Sequence, residues 1–216
     1  MGITDDLMNQ PMANEEKHRR LEDYWTIFVN SEDFDEGAFA MVYTLTADDL
    51  RAYGLSLGVD DDTCKDVIHD LFYHLYIKRK GLQGVENIWS YLFRAFRNRL
   101  LNAHRKSGRF LDMELGDQPF SVEVSVLDTL IDEEERRRLK LMVEELLAEL
   151  TPRQREAIYL RYVQGLDYEE IAQSLGMSAD SVRKLVYRAM VSLRRRAKLG
   201  SSLSSLLVLL LWGLQH

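Results

Sequence analysis

The stretch that most constrains the fold of this 216-residue chain runs from Thr151 to Lys198, where helix starts and stops alternate at short intervals. Thr151-Pro152-Arg153-Gln154 is a capping box with proline at the first helical position. The Thr hydroxyl and the Gln side chain each satisfy an amide that a helix start leaves orphaned, and proline has no amide to lose. The helix opened there is expected to run through Tyr162 and stop near Gly165. Asp167-Tyr168-Glu169-Glu170 repeats the start signal, and Gly176 offers a left-handed cap that closes a short helix. Ser178 then caps a third, longer helix reaching about Arg196. A short helix, a tight turn at Gly176-Met177 and a longer basic helix make the arrangement of a DNA-reading helix-turn-helix.

The faces of the third helix support this. Val182, Leu185, Val186, Ala189, Met190 and Leu193 recur at the spacing of one buried stripe. The opposite side carries Ser181, Arg183, Lys184, Tyr187 and Arg188. Side chains near the start of a recognition helix reach base edges, and Arg or Lys pairs with guanine acceptors in the major groove. Arg194, Arg195 and Arg196 follow and suit phosphate neutralisation. A three-helix bundle with solvated arginines explains the stripe equally well. It does not explain the turn, the caps and the one-sided basic face together.

A net charge of −7 argues against nucleic acid only as an average. Residues 1–77 hold 5 Lys/Arg against 17 Asp/Glu, and residues 78–106 hold 8 against 1. Residues 107–150 return to acid, 5 against 12, and residues 151–200 to base, 10 against 5. Two basic blocks separated by an acidic one suggest two polyanion-binding surfaces joined by a segment that avoids DNA. Chance asymmetry among solvated helix faces is the plainer alternative. Ser107–Glu135, with Gly108, Gly116, Pro119 and no sustained helical period until Glu133, is the linker candidate.

The amino-terminal block reads as three or four helices between Phe39 and His104. One is expected over Thr63–Ile77, with Val67, Ile68, Leu71 and Leu75 inward and Asp66, His69 and Asp70 outside. A basic glycine-containing loop, Lys78–Asn87, precedes a helix over Ile88–Lys106. Trp89, Leu92, Phe93, Phe96 and Leu100 form that helix's core stripe, and Arg94, Arg97, Asn98, Asn102 and Arg105 its other face. Aromatics beside arginines suit single-stranded DNA, whose bases stack on rings. The buried-face spacing of Trp89, Phe93 and Phe96 favours core instead, which leaves the loop and the Arg/Asn face as the contact surface, with Lys80 and Asn87 in the loop.

Composition points to an all-α fold: three prolines, twelve glycines and abundant Leu, Glu and Arg. The one cysteine, Cys64, allows no internal disulfide and suits a reducing compartment. On an apolar helix it is expected to be a small buried hydrophobe. Five histidines without ligand spacing suggest no metal site, and His69 and His74 do not share a helical face. No cofactor is implied. Met1–Arg20 is polar, with no apolar core of a signal peptide. No nucleophile–base pairing or phosphate loop supports an enzyme.

Taken together, the two blocks resemble the sigma factors of the extracytoplasmic-function (ECF) group. Asp66-Val67-Ile68-His69-Asp70-Leu71-Phe72 is similar to the family's acidic helix that docks on core polymerase, with His69 where the family usually shows Gln. Trp89 through Asn98 resembles the helix that meets the melted start-proximal promoter element. Leu150 through Glu156, Tyr168-Glu169-Glu170-Ile171-Ala172 and Leu175-Gly176-Met177-Ser178 through Arg188 resemble the DNA-reading domain. The resemblance covers roughly Trp25–Arg196.

It implies a cytoplasmic protein that directs core RNA polymerase to promoter DNA and assists its opening, with an anti-sigma factor as a further partner. Asp66, His69 and Asp70 would then face polymerase. Lys80, Asn87, Arg94, Arg97, Asn98 and Arg105 would face the start-proximal element, with the Lys78–Asn87 loop capturing an extruded base. Ser181, Arg183, Lys184, Tyr187 and Arg188 would face the upstream element. The expected organisation is an extension over 1–24, a region 2-like domain over 25–106, an acidic linker over 107–135, a region 4-like helix-turn-helix domain over 136–198 and an apolar tail over 199–216. The competing reading is a free-standing helix-turn-helix regulator with an amino-terminal sensing or dimerisation domain.

Leu203–Leu214 is strongly apolar and uncharged, yet short of the about 20 residues a spanning helix needs. It is expected to pack on protein, its own chain or a partner, because a bare apolar tail is a solubility liability.

Overall fold

The computed structural model describes residues 3–106, 120 and 133–197, with side chains at 16–103, 120, 134, 137, 141 and 144–195. The tail and nearly all of the acidic linker lie outside these. All secondary structure in the described residues is helical. The chain divides into two compact units, Met12–Met113 and Glu114–His216 together with Met1–Pro11.

The first unit is built on α1 (Ile3–Asn30) from Met12 onward, α2 (Glu36–Ser56), α3 (Asp61–Lys78) and α4 (Ile88–Lys106). Each later helix starts on a side chain that accepts an orphan amide. Asp35 accepts from the Ala38 N–H at 2.8 Å, Asp60 from Thr63 at 2.9 Å and Asn87 from Ser90 at 2.9 Å. Leu21 and Phe28 of α1, Leu50 and Tyr53 of α2, Leu71 and Leu75 of α3, and Leu92, Phe93, Phe96 and Leu100 of α4 are all buried. Trp89, Phe93 and Phe96 are therefore core, as their spacing suggests.

Helix α1 passes through the 24/25 boundary and carries part of this core. Lys17 pairs with Asp49 and lies 5.3 Å over the Trp89 ring, which also meets His18 at 4.6 Å. Burial, reinforced by Lys17, lowers the His18 pKa.

Gly54 marks the closest approach of α2 to its neighbours. A Cβ there would lie 2.5 Å from the Cys64 Sγ and 3.1 Å from the Phe96 ring. Cys64 is fully buried, and burial pushes its thiol up to about 11, so it packs as a neutral hydrophobe. We expect Gly54→Ala to destabilise this unit by about 1–3 kcal/mol, overpacking outweighing the gain in helix propensity. Thermal unfolding checks this. Cys64→Ala should restore part of the loss when combined with it, and Gly81→Ala, with open space around it, should be near neutral.

The second unit comprises α5 (Glu133–Ala148), α6 (Pro152–Ile158), α7 (Tyr168–Leu175) and α8 (Ala179–Ala197). Both capping boxes form reciprocally. Gln154 N–H donates to the Thr151 Oγ1 at 3.3 Å, and Thr151 N–H to the Gln154 Oε1 at 2.9 Å. Glu170 and Asp167 exchange the same pair of bonds at 2.7 Å each. Gly176 adopts φ 64°, ψ 41°, the left-handed cap, while Met177 N–H reaches back to the Ala172 carbonyl at 2.9 Å. Ser178 accepts from Ser181 N–H at 3.2 Å at the start of α8.

The structure departs from expectation after Ile158. The α-helix ends there and continues as a π-helical turn over Tyr159–Val163, rather than running as α-helix through Tyr162. Gln164 causes this. It is buried, donates its side-chain amide to the Tyr159 hydroxyl at 2.9 Å, and its N–H reaches the Tyr159 carbonyl at 3.1 Å. The widened turn points both Tyr159 and Leu160 into the core.

Arg155 knits this unit together. Its Nε donates to the Phe120 carbonyl at 2.6 Å, and its Nη1 to Leu147 at 3.1 Å and Leu150 at 2.8 Å. Phe120, inside the expected linker, is 2% exposed and sets its ring edge-on to Tyr159 at 5.5 Å.

Candidate nucleic-acid interface

Helix α8 presents two faces because its stripe is buried against α6 and α7. Val182, Val186, Ala189, Met190 and Leu193 are buried, and Leu185 is half-buried. Arg183, Lys184, Tyr187, Arg188, Arg194 and Arg195 are exposed, while Ser181 is half-buried beside the cap, its Oγ 2.8 Å from the Ser178 Oγ. Tyr187 is 69% exposed, an aromatic ring held in solvent on a helix that also exposes four arginines.

Two of the face's cations are already paired. Lys184 meets Asp180 at 2.7 Å across one helical turn, and this bond lowers the Asp180 pKa. Arg183 Nη2 donates to the Glu169 Oε1 at 2.5 Å, reaching from α8 to the start of α7. The Arg183 guanidinium also lies 5.5 Å from the centroid of the Tyr168 ring, which the Arg161 guanidinium approaches at 4.9 Å. Arg161 in turn donates to the Leu166 carbonyl at 2.9 Å. Nothing in the residue pattern alone announced this ladder, since its members are 14 and 7 residues apart and meet only once the helices pack.

On the first unit, Asp66, His69 and Asp70 are all exposed along α3, opposite buried Val67, Ile68, Leu71 and Leu75. The His69 ring stacks beside Tyr43 at 6.5 Å. Lys80, Asn87 and Asn98 are exposed and Arg94 is half-buried, whereas the side chain of Arg105 lies outside the described residues. Asn87 also spends its carbonyl oxygen on capping α4.

Arg97 is a correction: it is 3% exposed, not part of an outward face. It follows Phe93 by four residues and precedes Leu100 by three, so the helix carries it into the core stripe. Arg79 has a role the sequence hid. Its guanidinium donates to the carbonyls of Ser31 at 3.0 Å, Glu32 at 3.1 Å and Asp33 at 2.8 Å, holding the chain just past the end of α1. An open hollow of about 560 Å³ adjoins it, lined by Phe34, Tyr76, Ile77, Lys78, Lys80 and Gly81. It brings apolar surface to the basic loop at one spot. Exposed Tyr73, Tyr76 and Ile77 fall outside the apolar stripe of α3, which is the one signal that could have marked them.

Comparison with known proteins converges on one family. Residues 140–193, which include α6, α7 and most of α8, match the model described as "Sigma-70, region 4". RNA polymerase sigma factor SigA2 of Synechococcus elongatus is 36% identical over 102 residues, 41% of this chain and 30% of that protein. ECF RNA polymerase sigma factor BldN of Streptomyces coelicolor is 26% identical over 192 residues, 86% of this chain and 69% of that one. The chain thus spans under a third of the first relative and about two thirds of the second. The sigma factor RpoE of Bartonella quintana, solved in complex with the anti-sigma factor NepR, aligns with a TM-score of 0.53 and 26% identity over 75% of this chain and 98% of that one.

Proposed function

We propose that this chain, a sigma factor of the extracytoplasmic-function group, directs core RNA polymerase to specific promoters and assists their opening. The observation that carries the reading is the face of α8, where Arg183, Lys184, Tyr187 and Arg188 stand exposed opposite a packed stripe in a capped helix-turn-helix. That face reads the upstream element in the major groove. Exposed Asp66, His69 and Asp70 on α3 supply a polar surface for core polymerase, and Lys80, Asn87, Arg94 and Asn98 a surface for the opened start-proximal element.

The chain performs no catalytic step of its own: it selects and holds DNA, and the polymerase does the chemistry. An anti-sigma factor is a further partner, by analogy with the complex of the Bartonella quintana protein. The site of action is the cytoplasm. Among the described residues no helix is long and apolar enough to cross a membrane.

Run-off transcription from a library of promoter fragments tests the reading, using purified core polymerase with and without the chain. Specific transcripts that need both components are the expected result. Sequence-specific DNA binding by the chain alone, with no polymerase-dependent transcript, would replace this reading with a free-standing regulator.

A further inference from the structure

We infer that Glu169 and Tyr168 are positioning residues for sequence readout: together they hold the Arg183 guanidinium in place for a base edge before DNA arrives. This rests on the proposal that the α8 face reads the upstream promoter element. Arg183 is the fifth residue of α8, within the part of a recognition helix whose side chains reach base edges. A free arginine would sample many rotamers there and lose that freedom on binding, whereas one already fixed loses less.

The geometry fixes it from two sides. Glu169 takes one Nη2 hydrogen at 2.5 Å, and the Tyr168 ring lies 5.5 Å from the guanidinium carbon. A guanidinium has five donors, so the donors not directed at Glu169 remain for a guanine O6/N7 pair. The support is itself rigid. Tyr168 is half-buried and shared with Arg161, which is tied to the Leu166 carbonyl, and the neighbouring Asp167–Glu170 capping box fixes the backbone that presents both residues.

Stability is a poor explanation for the arrangement. Arg183 and Glu169 side chains are 52% and 55% exposed, and ion pairs that exposed contribute little to a fold. A carboxylate beside a face that takes DNA also carries an electrostatic cost, since the phosphates of a bound duplex would repel it. Orientation is what the pair supplies in return.

The test is selection from a duplex pool randomised across the upstream element, using the full chain bound to core polymerase, followed by sequencing. Arg183→Ala should flatten enrichment at one or two adjacent base pairs. Glu169→Ala and Tyr168→Ala should weaken enrichment at those same pairs, by about three- to ten-fold, and leave the other positions as they are. Tyr168→Phe keeps the ring and should keep the enrichment.

Unchanged enrichment in Glu169→Ala and Tyr168→Ala overturns the inference. So does an equal loss at every position with a lowered melting temperature, which marks a structural role. Sharper enrichment in Glu169→Ala also overturns it, because Glu169 would then be a competitor for Arg183. A wild-type chain that selects a motif indifferent to Arg183→Ala sinks the inference alone, and a wild-type chain that selects no motif sinks the promoter-reading proposal beneath it.

Discussion

Arg155→Ala is expected to unfold the carboxy-terminal unit selectively, at a cost of about 3–5 kcal/mol. One guanidinium there serves three carbonyls: Phe120, Leu147 and Leu150. Leu147 and Leu150 lie at and just beyond the end of α5, where a helix leaves its last carbonyls without partners. A hydrogen bond from a charged donor contributes about 1.5–3 kcal/mol, and its loss leaves the acceptor desolvated. Three such losses do not add fully, because water reaches part of the vacated space; hence the upper bound. Arg155 keeps its charge at any workable pH, since burial lowers its pKa only from the high value ordinary for arginine. Arg155→Lys should rescue little, because one ammonium cannot reproduce a planar fork with two arms in use. Amide exchange in the full chain checks this: amides of α6–α8 should exchange much faster in Arg155→Ala, with those of α2–α4 unchanged. Equal exchange in both units would remove the clamp from the account. The same variant should free Phe120 from Tyr159 and speed proteolysis around it.

Such a clamp was not legible in the residue pattern, and the reason is distance along the chain. Thr151 with Gln154, Asp167 with Glu170 and Gly176 act within one helical turn, so their chemistry appears in the sequence. The stripe of α8 was legible for the same reason, as was the burial of Trp89, Phe93 and Phe96. Arg155 reaches 35 residues back to Phe120, and Arg79 reaches 48 back to Ser31. No local rule announces either. The π-helical turn at the end of α6 is likewise closed by a residue no start or stop signal marks, Gln164, buried with its side-chain amide on the Tyr159 hydroxyl. Arg97 illustrates a different error: its charge suggested an outward face, while its helical angle places it between Phe93 and Leu100. Where residue type and helical position disagree, position decided. Position is equally what leaves Asp66, His69 and Asp70 exposed on α3.

The exposed face of α8 carries the largest functional expectation, and Arg183→Ala with Arg188→Ala measures it. Each residue is exposed on a helix whose opposite face is packed, so neither substitution removes a core contact. A lost base-edge pair costs about 1–3 kcal/mol, roughly a 5- to 150-fold change in affinity. The two residues are five apart with no contact in common, so their losses should nearly add. The double variant should therefore bind upstream-element duplex at least about 25-fold more weakly than wild type and yield little run-off transcript. The two singles should differ in kind. Arg183→Ala should lower affinity for the cognate sequence more than for unrelated duplex. If Arg188 meets phosphate instead, its loss should weaken both equally and reduce the salt dependence by about one ion. Lys184→Ala should cost less than either, because a single ammonium lacks the two-pronged fork with which a guanidinium matches a guanine edge. The melting temperature distinguishes readout from structure here. If the double variant melts several degrees lower in step with its loss of binding, the two arginines hold the helix and some other part of the face reads the promoter.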